Sequence, residues 1–273
     1  MLNINKILFK LVLILYLISI GTILATTYIS GYEHLLQQMS HEDSFFESVG
    51  TLSLFITFIY GFYTLYSYKF NRYEKLAIVI FSILAFLAGM EEISWGQQLF
   101  HFPSSEYFIE YNLQQETNLH NLVDANLFSS IIYSCIYTFV VFIPLFYKIF
   151  PYLHQFKILK YFNINPHTIL VVLFASTFQL YFYNDIGVWF DMVTHFFALT
   201  VFGFYLSKAK STIWLKLHFA TIVIATAISI FCYHIYSFLN MQYEIRESFI
   251  ELAGLLIFIE LIQKEKSKKR DYE

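Results

Sequence analysis

The sequence implies an all-α protein, a polytopic transmembrane helical bundle of about eight spanning helices with both termini in the cytoplasm. Three observations lead there. Of 273 residues, 58% are apolar and only 14% charged, whereas a soluble domain carries about 25% charged residues; too little polarity remains to cover a water-facing surface. Aromatic residues reach 21%, led by 32 Phe, and they lie in long apolar runs, not in the alternating segments of about 10 residues that mark a β-barrel. The basic residues, finally, recur where the chain would return to one side of a membrane.

A spanning helix needs about 20 mostly apolar residues, and eight segments meet that need, at 8–29, 46–68, 76–93, 126–147, 168–184, 189–207, 217–239 and 248–263. The first follows Lys6 and Lys10; it is longer than a signal-peptide core and lacks a small-residue cleavage site, so it reads as a retained helix. The second and third flank Lys69, Arg72 and Lys75, and the third ends at Glu91 and Glu92. A loop of about 30 residues without Lys or Arg leads to the fourth. Only the turn Asn184-Asp185-Ile186-Gly187 parts the fifth from the sixth. Residues 1–263 thus read as a single transmembrane domain and 264–273 as a basic cytoplasmic tail. Cys135 and Cys232 fall inside apolar runs and read as small buried hydrophobes.

Orientation follows from the retention of Lys and Arg on the cytoplasmic side. With eight crossings, sixteen of seventeen basic residues share one side and only Arg246 departs; an odd number of crossings would scatter them. The expected location is therefore the inner or plasma membrane, and the near-neutral net charge of −3 leaves nucleic acid out as a partner. The bilayer itself is the expected partner, together with a lipid or lipid-linked substrate.

On this topology fifteen of twenty acidic residues fall in outer loops or the outer halves of helices. The orientation rule does not demand this, since Asp and Glu contribute little to it, and ionisable groups near bilayer depth are costly enough to mark sites. The densest stretch runs from Glu91 and Glu92 through Ser94 and Trp95 to Gln97. Two adjacent carboxylates there call for a proton or a cation, which makes Glu91 and Glu92 candidate catalytic groups, with Trp95 an interfacial anchor. The loop beyond carries Pro103-Ser104-Ser105-Glu106, a helix start with Ser as cap. It continues through Asn112, Glu116, Asn118, His120 and Asn121. Glu116 and His120 share a helical face and join the catalytic candidates; Gln97, Asn112, Asn118, Asn121, Glu247 and Glu251 are candidate substrate contacts. Asp191 and His195, four apart on the sixth helix, form a carboxylate–imidazole pair that with His120 can hold a divalent metal, or simply pack the bundle through a hydrogen bond. Arg246 is placed to pair with an outer acid or equally to contact an anionic head group, whereas His167 and His218 read as cytoplasmic interface residues.

The string Glu91-Glu92-Ile93-Ser94-Trp95-Gly96-Gln97, followed by Asn112-x-Gln114-x-Glu116-x-Asn118-Leu119-His120-Asn121, resembles a group of uncharacterised bacterial multi-pass membrane proteins with an EEISWGQ-like and an NLHN-like element. The resemblance implies that the two elements form one site and carries no implied chemistry. Ser94, His120, Asp191, His195 and His234 also supply the ingredients of the membrane hydrolases that include the alkaline ceramidases. Their paired His-x-x-x-His is replaced here by Asp191-x-x-x-His195, which leaves that likeness an analogy. The expectation is a metal-assisted hydrolase or transferase at the outer leaflet. A noncatalytic binding or accessory subunit is the alternative, and an ion-coupled transporter the third reading, disfavoured because the polar groups sit shallow and no repeat is visible.

Overall fold

A computed structural model describes residues 4–28, 45–112, 115–119, 122, 125–178, 186–232 and 239–270, with backbone alone at 4–6, 26–28, 98, 125–130, 186–191, 232, 239–244 and 265–270. Every regular element among them is helical. The long ones are α1 (Ile4–Tyr28), α2 (Phe45–Ser67) and α3 (Arg72–Glu92). Two short helices, α4 (Gln97–Phe100) and α5 (Glu106–Tyr111), follow. Next comes α6, which runs from Ala125–Ile136 through a π-helical stretch, Tyr137–Phe142, into Ile143–Ile149. The chain ends with α7 (Pro166–Thr177), α8 (Ile186–Lys208), α9 (Ile213–Cys232) and α10 (Leu239–Arg270). Five helices are long and apolar enough to cross a membrane among the described residues: Ile7–Ala25, Phe45–Ser67, Arg72–Glu92, Ile131–Ile149 and Ile213–Phe231. The apolar helix α7 is shorter, at 12 residues.

Local chemistry explains several helix ends. Asn71 and Glu74 form a capping box, each side chain accepting the other's backbone N–H at 2.9 Å, which starts α3 beside the cationic loop. Asn165 caps α7 by accepting from His167 N at 3.0 Å, with Pro166 in the first turn where its missing N–H costs nothing. Pro144 cannot donate to Val140 and crowds that carbonyl, and the wider π turn preceding it relieves the clash. Ser19, Ser53, Thr57, Ser82, Ser176, Thr177, Thr221 and Thr226 each donate to the carbonyl four residues back, at 2.7–3.1 Å. A hydroxyl without water finds its partner in its own helix.

Side-chain pairs set the helix directions. Phe9 stacks on His167 and Tyr16 on Phe174, so α1 and α7 run parallel. Thr168 meets Glu260 while Phe174 meets Phe249, so α10 runs against α7. The helix α2 lies along α10, its Phe46 carbonyl accepting from Ser248 and its Gly61 facing Phe258; α3 returns against α2 through Gly61–Ser82 and Gly89–Phe55. Glycine allows both approaches, since a Cβ at Gly61 would lie 1.9 Å from Ser82 Oγ. Phe202–Phe219 and His195–Thr226 set α8 against α9. Consecutive long helices therefore alternate in direction, and the start of α1 lies at the same end as the close of α10. The core is α7, buried at every residue from Thr168 to Thr177 and enclosed by α1, α9 and α10.

At that end Glu260 accepts from Asn165 N at 2.9 Å and from Thr168 Oγ1 at 2.5 Å, while Lys148 and Lys264 both donate to Asn163. This ties the ends of α6, α7 and α10 together. His218, expected at an interface, is instead a core residue, 1% exposed and edge-on to His167. Cys135, expected to be buried, is exposed on α6.

Candidate functional site

The opposite end of the bundle holds the polar motifs. Three successive residues after α3 take left-handed backbone angles, Ser94 (φ 47°), Trp95 (φ 55°) and Gly96 (φ 90°), and His101 (φ 52°) and Gln115 (φ 60°) do so further on. All the positive-φ residues among those described fall between 94 and 115. Only Gly96 takes that region without penalty; a side chain there costs about 1–2 kcal/mol per residue. Strain this concentrated persists only where surroundings hold it.

Hydrogen bonds between the two motifs supply that hold. Ser94, fully buried, donates to Glu116 Oε2. Asn118, 1% exposed, donates through Nδ2 to Glu116 Oε2 at 3.0 Å and to Ser94 Oγ at 3.2 Å. Asn112 Nδ2 donates to Asn118 Oδ1 at 2.8 Å and to its carbonyl at 2.9 Å, while Asn112 Oδ1 accepts from Glu116 N at 3.3 Å. Glu91 accepts from Trp95 Nε1 with one oxygen and from Leu119 N, at 2.6 Å, with the other. Gln97 is used at both atoms of its amide: Oε1 accepts from Thr117 N at 2.8 Å, and Nε2 donates to Ser104 Oγ at 2.8 Å. Ser104 in turn donates to Gln115 O at 2.6 Å. The helix end and the returning loop form one closed polar knot.

Beside the knot lies a concentration of carboxylates. Glu92 lies within electrostatic reach of Glu247 of α10, Glu47 of α2, Glu91 of α3 and Glu116 of the loop. One turn deeper Glu251 fills the space at Gly50, where a Cβ would lie 1.9 Å from its Oε2. Four separate chain segments thus bring acidic side chains to one end. Arg246 is 7% exposed, and its guanidinium lies over the Tyr133 ring at 3.4 Å.

The structure therefore brings together Glu91, Glu92, Gln97, Asn112, Glu116, Asn118 and Glu247, with Glu251 adjoining. His195 stands in a different network. Tyr137 Oη lies 3.2 Å from its Nδ1 and Thr226 Oγ1 3.2 Å from its Nε2, and Thr177 Oγ1 continues the chain at 3.3 Å from Thr226. Both ring nitrogens are occupied, as in a histidine that packs a bundle. His120, Asn121 and the side chain of Asp191 lie outside the described residues, as does His234. Among the described residues no three His, Cys, Asp or Glu side chains are placed to hold a metal ion. Ser104 and Thr117 were not singled out as site residues; Ser104 was expected only as part of a helix start. Ser105 in fact precedes α5 without a side-chain cap bond. The chain matches no protein-family model, no curated protein and no solved structure.

Proposed function

We propose that the chain crosses an inner or plasma membrane eight times with both termini cytoplasmic, and that its outer end is the acid–base centre of a hydrolase or transferase acting on a lipid or lipid-linked group. The alternating helix directions and the sixteen basic residues assigned to one side support the topology. The observation that carries the chemistry is Glu92, placed among Glu47, Glu91, Glu116 and Glu247. Negative charge so concentrated demands compensation, by protons or by a cationic group of the ligand, and carboxylates that exchange a proton are the elements of general acid–base catalysis. Strain confined to the adjoining turn fits a site held in one geometry. The likeness to bacterial membrane proteins with the same two motifs points to the same end of the molecule.

The test is turnover. Purified protein in vesicles of total bacterial lipid would be followed by mass spectrometry for released headgroups or acyl chains. Glu92→Gln is expected to lower the rate about 100-fold or more, while Ser105→Ala, on the exposed face of the loop, leaves it unchanged. A parent protein without turnover on any lipid class, or a Glu92→Gln variant of full activity, refutes the enzyme. A second reading, a noncatalytic binding or accessory subunit, draws on α5, whose Tyr107, Ile109 and Tyr111 are all more than half exposed beside the closed knot. Co-purification of a partner that is lost on substituting those three decides for it.

A further inference from the structure

We infer a phosphate-binding site at Arg246, near the start of α10, that holds the phosphate of a lipid headgroup or of a soluble phosphate compound. The site rests on the eight-crossing topology proposed above, which puts Arg246 outside, and it adds a phosphate to the ligand class proposed there. Arg246 is 7% exposed, and its Nε is buried without a hydrogen-bond partner among the described residues. A guanidinium taken out of water and left without an acceptor is costly, so buried cations are found paired. Those of the opposite end follow the rule: Lys148 and Lys264 both donate to Asn163.

The guanidinium carbon lies 3.4 Å from the centre of the Tyr133 ring, too close for any but a stacked orientation. The ring therefore covers one face of the cation, and the N–H donors stay in the guanidinium plane, directed past the edge of the ring. A planar fork of donors matches the paired oxygens of a phosphate. The carboxylates of this end are turned elsewhere. The charges that act on Glu92 are all negative, and Ser248 and Glu251 of α10 meet α2, whereas Arg246 meets α6. At about 100° per residue, Arg246 and Ser248 stand roughly 200° apart around the helix, so α10 itself separates an anion on Arg246 from that contact with α2. The level also suits a phosphate. Arg246 stands two residues before the apolar run 248–263, and its long side chain leans toward the start of α10, which is the outer side. That is the headgroup layer, where lipid phosphates lie and solutes of the medium arrive.

The full chain, purified in detergent and phosphate-free buffer, would be offered phosphatidylglycerol or a glucosyl diacylglycerol with the same acyl chains, and the retained lipid counted by native mass spectrometry. Inorganic phosphate would be titrated separately by calorimetry. Arg246→Gln is expected to retain about tenfold less phosphatidylglycerol than the parent, the scale of one charge-assisted hydrogen bond, and as much of the glycolipid. Arg246→Lys keeps the charge but not the fork and should lose about threefold; it decides the matter where the glutamine variant does not fold. A loss confined to phosphatidylglycerol assigns the site to a lipid headgroup. A loss confined to inorganic phosphate assigns it to a soluble phosphate. Parent-like binding of both by the variants, or binding of neither by the parent, overturns the site. Binding is read without turnover, so a protein that retains phosphatidylglycerol through Arg246 yet turns over no lipid refutes the enzyme and leaves the site standing, while loss of the site leaves the turnover test untouched.

Discussion

Replacing Asn118 by alanine removes one side chain that serves three partners. Its Nδ2 donors reach Glu116 Oε2 at 3.0 Å and Ser94 Oγ at 3.2 Å, and its Oδ1 accepts from Asn112 at 2.8 Å. A neutral hydrogen bond contributes about 1 kcal/mol net and one to a carboxylate about 1.5–3 kcal/mol, an upper total near 5 kcal/mol. Part survives, because Asn112 keeps the Asn118 carbonyl at 2.9 Å and Ser94 keeps Glu116. About 3 kcal/mol is the expected loss, and it falls on local opening of the loop, since the bundle core is remote from it. Tenfold per 1.4 kcal/mol makes this roughly 150-fold faster amide exchange at Thr117 and Leu119, whose N–H groups are held by Gln97 and Glu91. Hydrogen–deuterium exchange with mass spectrometry on protein in nanodiscs reads it directly. Asn118→Asp, which conserves shape but sets a second carboxylate against Glu116, should open the loop at least as far. Protection at both amides within threefold of the parent would show that the knot does not hold the loop.

Three further outcomes are expected. Glu260→Ala should destabilise the protein by about 2–4 kcal/mol and Glu260→Gln by less, since the amide keeps one acceptor for Thr168 or Asn165; equal thermal shifts would contradict the assigned bonds. Gly254→Ala should be neutral or stabilising by up to about 1 kcal/mol, because nothing lies within 4 Å of its new Cβ. Gly61→Ala must displace the Ser82 side chain, and denaturation midpoints should order the two accordingly. For topology, single cysteines at Tyr107 and Tyr161, both more than half exposed, should react with an impermeant maleimide from opposite sides of sealed cells, the first from outside.

The helices were readable because lipid admits few alternatives. A backbone with no water must satisfy its own polar groups, and long runs of Phe, Leu and Ile leave only the helix. The polar motifs were readable for the converse reason, as Glu91, Glu92 and Glu116 stand where charge is expensive. Their partners were not. That Ser94 meets Glu116, and Gln97 meets Thr117, depends on the chain turning through left-handed angles at Ser94, Trp95 and Gln115, which no propensity of those residue types announces. Nor does spacing disclose the partners of His195, which come from α6 and α9, a choice made by packing between helices far apart in the chain. The guanidinium of Arg246 stacked on Tyr133 gains from an aromatic face what the sequence neighbourhood does not disclose.

The position of α10 has a consequence for how the molecule comes to be. It is made after both α2 and α7, and it lies between them. Until it arrives, Phe46 and Gly50 lack Ser248 and Glu251 on one flank, and Thr168 lacks Glu260 on the other. The bundle therefore cannot settle as it is synthesised. It waits, with both ends incompletely paired, for a closing event of very high contact order, and a nascent chain cut short before residue 239 would be expected to meet quality-control proteases with one flank of α7 uncovered.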